Sequence, residues 1–157
     1  MLNAFYIIAG LMAVGCVMMF VISAMTPRPS SIGVVNGQLA AVPDSPNCVS
    51  STAEDQLHAI APLTWTGSQQ DAMQKLRSVV SGMPGATIVE QQDGYLYAEF
   101  RSRLFQYVDD VEFLVDTDAG VIQFRSASRV GYSDMGVNRA RMEQIRQRMQ
   151  PASGQTK

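Results

Sequence analysis

The first 25 residues of this chain lack charge: they contain no Asp, Glu, Lys, Arg or His, so all 12 basic and 14 acidic residues lie beyond Met25. Cysteine and histidine are nearly missing too, with two of the first and one of the second. Cys16 falls inside the uncharged run, which leaves Cys48 as the only cysteine downstream and excludes an intradomain disulfide by count. One thiol and one imidazole, His58, cannot assemble a Cys/His zinc site, so no metal or cofactor is implied. A net charge of −2 supplies no field that would steer nucleic acid to the protein. No calcium loop, Gly-Lys-Ser/Thr phosphate loop or internal repeat is visible.

What the chain does have is an apolar run over residues 4–25. A bilayer core of about 30 Å needs about 20 apolar residues in a helix, and this run has that length. Core helices of soluble domains ordinarily keep a polar stripe, which is absent here. Pro27 and Pro29 stop the helix. A cleavable signal peptide fits less well, because no basic residue precedes the run and Ile22-Ser23-Ala24 is a poor cleavage site. A lipoprotein anchored at Cys16 would leave 17–25 as an apolar surface linker. The reading is a retained single-pass anchor in contact with the lipid bilayer, after an N-terminal tip of residues 1–3. Arg28, just beyond the run, argues through the positive-inside rule for a cytoplasmic domain.

About 130 residues follow, enough for one domain. Residues 26–41 read as a tether becoming an irregular arm, 42–150 as the α+β domain, and 151–157 as a polar tail. Residues 58–65 look extended and suit a sheet edge. Ser68 and Gly82 bracket a helix over 69–81, with Ala72, Met73, Leu76, Val79 and Val80 on one stripe. Strands are expected over 87–91 and 95–101 around Gln92-Asp93-Gly94, and over 111–116 and 121–128 around 117–120. Val111, Phe113 and Val115 alternate with polar residues, as in an antiparallel meander with one wet face. Asn138 caps a last helix to about residue 149, with Arg141, Arg146 and Arg148 outward. The fold class is α+β: a four-stranded, mainly antiparallel sheet with two helices on one face, preceded by one transmembrane helix.

Three constellations could carry chemistry. Cys48 with His58 could form a nucleophile and base, yet nothing basic nearby in sequence would activate the thiol. Asp109 and Asp110 could act as paired carboxylates, but adjacent strand residues point to opposite faces. Arg125 and Arg129 share a strand face and suit an anion, unless acidic neighbours such as Asp109, Asp110 or Asp134 pair with them.

The strings SPNCVSS (45–51), DDVEF (109–113), RSASRVGYSDMGVNRARMEQIR (125–146) and IGVVNGQLA (32–40) resemble the domain of unknown function 1499 family. The resemblance covers roughly residues 31–148. It implies a small bacterial or plastid protein whose domain lies on the periplasmic or lumenal side, against the vote of Arg28. It brings no activity. It does bring a set of positions: Pro46, Asn47, Cys48, Asp109, Asp110, Arg125, Ser126, Ser128, Arg129, Gly131, Asp134, Gly136, Asn138 and Arg139. Family members often carry a second cysteine six residues before the first, and here that position is Val42. The leading expectation is a non-enzymatic domain recognising an anionic ligand or partner protein through Arg125, Ser126, Ser128, Arg129, Asn47, Cys48, Asp109, Asp110, Asp134, Asn138 and Arg139. The alternatives are a hydrolase using Cys48 and His58 or the carboxylates, and a structural accessory of a membrane complex.

Overall fold

A computed structural model describes residues 2–150, with side chains from Ala4 onward. The expected polar tail 151–157, and Met1 of the tip, lie outside the described residues. The elements run α1 (Leu2–Met25), β1 (Cys48–Ser50), β2 (Leu63–Thr64), α2 (Gln69–Ser81), β3 (Ala86–Gln92), β4 (Tyr95–Arg101), β5 (Val108–Asp116), β6 (Val121–Ser128) and α3 (Val137–Met149). The class is α+β as expected, but the sheet has six strands rather than four. The four long strands pair as an antiparallel meander, β3-β4-β5-β6. The two extra strands, β1 and β2, are short and both pair with the outer edge of β6. Three residues or fewer carry no readable alternation, which is why β1 is hidden at the start of the domain. The extended stretch near Trp65 does reach a sheet edge, as β2.

Local sequence explains the best-defined elements. In α2 the Ser68 side chain accepts a hydrogen bond from Asp71 N, satisfying a donor that the first turn leaves free. The five stripe residues of α2 are all buried. They meet Leu96, Ala98, Phe100, Val111, Phe113, Ile122 and Phe124 on one face of the sheet, with Met142, Ile145 and Met149 from α3. Both domain helices therefore cover the same face. Burying a side chain such as Leu76 or Phe113 contributes about 1.5–3 kcal/mol.

The opposite face corrects the sequence reading. It was expected to be wet, and it is not: Tyr95, Tyr97, Glu99, Asp110, Glu112 and Arg125 are all buried. The arm lies over it. Leu39 and Ile32 pack on Tyr95 and Tyr97, and the Arg28 guanidinium sits 4.9 Å from the centre of the Tyr97 ring. Alternation identifies a polar face, but polar side chains tolerate burial once each has a partner.

Helix α1 contains one bilayer-length stretch, Ala4–Met25, of 22 residues and mean hydropathy 2.5, apolar enough to cross a membrane. Its last turns touch the domain. Ser23 is 3% exposed and its hydroxyl donates to the Gln106 carbonyl at 2.6 Å, while the Tyr107 hydroxyl reaches Met19 Sδ at 3.4 Å.

Candidate functional site

The β5 and β6 register places Asp109 opposite Ser128 and Asp110 opposite Ala127. Successive residues face opposite ways across a sheet, so the two aspartates enter two separate polar clusters.

The first cluster lies under the arm. Asp110 accepts from Tyr97 Oη at 2.6 Å, and from Arg129 Nη2 at 2.6 Å and Nε at 2.9 Å. Glu99 accepts from the same Arg129 Nη2 at 2.6 Å, and from Arg101 at 2.8 Å. This fork-like pairing, Asp110 foremost, raises the Arg129 pKa further. Burial lifts the Glu99 pKa, but Arg129 and Arg101 outweigh it and hold the carboxylate below its ordinary value. Burial, reinforced by Asp110, also pushes the Tyr97 phenol up. Arg125 is the looser member, with Nη1 3.6 Å from Glu112 and an Nε that has no hydrogen-bond partner. Glu112 is fully buried; one carboxylate oxygen accepts from Gly33 N at 2.7 Å and Tyr95 Oη at 2.9 Å, and the other, the one facing Arg125, accepts no hydrogen bond among the described residues. Burial raises its pKa against the pull of those donors and of Arg125.

The second cluster lies on the helix face. Asp109 accepts from the Ser128 hydroxyl and from Arg141. Asn138 was expected to cap α3; instead its side chain is buried, donating to Asn47 O at 3.0 Å and Ser128 Oγ at 3.1 Å and accepting from Ser126 at 2.5 Å. Asp134 does the capping, accepting from the backbone N–H of Asn138 at 2.7 Å and of Gly136 at 3.0 Å. Arg141 and Arg146 were expected to point outward. Arg141 instead turns in to Asp109, and Arg146 donates to the carbonyls of Pro62 and Ala61. Main-chain carbonyls of a strandless segment need donors, and a nearby guanidinium supplies them.

Asn47 joins both ends of the candidate motif, donating to Gly131 O at 2.6 Å and Ser128 O at 3.3 Å. Arg139 donates to Ala59 O at 2.9 Å and Leu57 O at 3.0 Å. The Asn47 turn, the β6–α3 loop and the start of α3 thus form one hydrogen-bonded unit.

No hydrogen bond joins Cys48 to His58. The thiol is 1% exposed, and burial pushes its pKa up to about 11, only partly offset by Arg125. Nδ1 of His58 is 2.8 Å from Asp55 and Nε2 is 3.1 Å from the Ser45 carbonyl. An acceptor at each nitrogen favours the imidazolium, the form that has no lone pair to act as base. Burial lowers the His58 pKa, but Asp55 and Ser45 more than reverse that. Among the described residues no group of three His, Cys, Asp or Glu side chains could hold a metal ion.

Sequence reasoning missed Glu99, Tyr97, Tyr95 and Arg28 as partners. The Tyr-x-Tyr-x-Glu alternation of β4 was the available signal, since it places three polar groups on the face that Asp110 and Glu112 share.

Neither a comparison with curated proteins nor one with solved structures finds a match. Residues 38–149, which hold every candidate residue, match the family described as "Protein of unknown function (DUF1499)", and the chain belongs to that family.

Proposed function

We propose that this is a single-pass inner-membrane protein whose α+β domain is a non-enzymatic binding and interaction domain on the periplasmic side. The reading rests on one observation. Asp109, Asp110, Glu99, Arg129, Asp134 and His58 are each tied to another part of the chain, while the loop those ties hold in place turns apolar side chains outward. Tyr132 is 76% exposed and Met135 95% exposed, between Gly131 and Gly136, whose φ angles of 91° and 81° favour glycine. Met135 itself has φ 55°, a left-handed conformation that costs a residue with a long side chain energy. Such a loop is a built surface for contact rather than for turnover. An anion would have to displace Asp110 and Glu99 from Arg129 to be held there.

The family resemblance and the apolar α1 support the anchor and the compartment. An alkaline phosphatase fused after residue 150 is expected to be active in a Gram-negative host; activity from a β-galactosidase fusion instead would overturn the orientation. The full chain in detergent micelles is expected to show no ester hydrolysis above a Cys48→Ala control, and no alkylation of Cys48 before unfolding. Turnover abolished by Cys48→Ala would overturn the non-enzymatic reading.

A further inference from the structure

The contact loop does not stand alone. Between it, the β4–β5 loop and the end of α1 lies an open cleft of about 470 Å³, a volume in the range of small-molecule sites. Its walls are Met19 and Ile22 of α1, Tyr107 of the β4–β5 loop, and Val130, Met135 and Val137 of the β6–α3 segment. Its acidic groups are neutralised within the protein: Asp109 is held by Arg141 and Ser128, and Asp134 by the N–H groups of Gly136 and Asn138. No Lys or Arg lines it, so it offers nothing for a phosphate.

Where the cleft sits decides what reaches it. Met19 lies about 9 Å short of the C-terminal end of α1, at 1.5 Å per residue. With the 22 residues Ala4–Met25, about 33 Å, across a core of about 30 Å, Met19 lies inside the acyl region of one leaflet and Met25 at its border. The Ser23 and Tyr107 contacts hold the β4–β5 loop against these last turns, where it presents Leu104, 76% exposed, beside the aromatic pair Phe105 and Tyr107. Aromatic and apolar side chains of this kind favour the bilayer interface. Two loops flanking the helix therefore carry bare apolar groups at the same end of the domain, and the cleft between them opens onto the leaflet.

We infer that this cleft takes an acyl chain of a membrane phospholipid from the leaflet next to the domain. The inference rests on the membrane-anchored reading above and names the ligand of its contact loop. Recognition is by shape and apolar burial, with Ser133 and Tyr107 available to the glycerol esters and the headgroup left in water.

The test uses the full chain in vesicles of phosphatidylcholine and phosphatidylglycerol, with photoreactive p-benzoylphenylalanine in place of Val137. Irradiation is expected to yield a phospholipid adduct at that position and none from the same probe in place of Asp118, in the distant β5–β6 turn. Met135→Asp should cut the adduct about tenfold or more, because a charge facing hydrocarbon is costly. Met135 is almost wholly exposed and aspartate tolerates a left-handed backbone, so the fold should survive. Equal lipid labelling at 118 and 137 would overturn the cleft assignment. A protein adduct in native membranes, replacing the lipid one, would overturn the lipid ligand and leave the interaction domain standing. No adduct of either kind would overturn both.

Discussion

The two faces of the sheet are held by opposite means. On the helix face, Leu96, Phe100, Phe113 and Phe124 pack against α2 and α3, and the ions are confined to the Asp109–Arg141 pair at one end of that layer. On the arm face, Asp110, Glu99 and Arg129 are buried as ions, and the cover is an irregular arm rather than a helix. Apolar packing tolerates imprecision, because burial is non-directional and depends chiefly on area and volume. A buried ion pair does not, since breaking it leaves a charge without water or partner. The difference also bears on function. On the arm face Arg129 ties the end of β6, while on the helix side Asn47, Asp134 and Asn138 hold the loop that follows it.

The sharpest way to break this comparison is Arg129→Ala, which leaves Asp110 without its cation and Glu99 with Arg101 and Arg28 alone. A loss of about 3–5 kcal/mol is expected in urea unfolding of the full chain in micelles. A loss below about 1 kcal/mol would mean that the pair is screened like a surface one. Leu76→Ala on the other face should cost about 2–5 kcal/mol. The conservative pair of variants separates the faces more cleanly. Leu76→Met should cost less than about 1.5 kcal/mol, whereas Arg129→Lys, which keeps the charge but loses the fork, should retain most of the alanine penalty.

A smaller effect concerns acid. Glu99 has a depressed pKa when folded, so its contribution is present above the ordinary carboxylate value of about 4.3 and is lost as pH falls through the folded value. Thermal unfolding should therefore show an acid limb below about pH 4 that is weaker in Glu99→Gln. The smallest effect is expected at the edge of the domain, where His58 meets Asp55. The Asp55 pKa is lowered, chiefly by the hydrogen bond from His58, and the His58 pKa is raised. The aspartate's contribution fades on acidification through its folded value. The histidine's is complete below about 6.5 and fades as pH rises through its raised folded value. The Tm difference between parent and His58→Gln should peak between about pH 4 and 6.5. A difference flat with pH would show that the contact is not ionic.

Much of the fold is legible in the chain. The Ser68 cap, the α2 stripe and the two hairpin turns are local features, and each appears where it was read. The strand starts are less so: β5 begins at Val108 rather than at 111, because Val108 pairs with Arg101 across the sheet and local alternation does not reveal that. The candidate residues were visible as a group, and the register brings most of them into two networks. What each one does was not visible. Asn138 reads as a cap from its position, yet the Asn47 carbonyl and the Ser126 and Ser128 hydroxyls claim its side chain, and Asp134 takes over.

Sequence by itself determined a bilayer-length apolar helix, the α+β class, the family, and by count that Cys48 has no partner for an intradomain disulfide. These follow from counts and short-range periodicity, which need no knowledge of distant neighbours. Only the tertiary structure decided that the face expected to be wet is covered, and that Arg129 belongs to Asp110 and Glu99. It also decided that the cleft borders α1. Each depends on which strand lies beside which and on where the arm returns, and those are set by the packing of the whole chain.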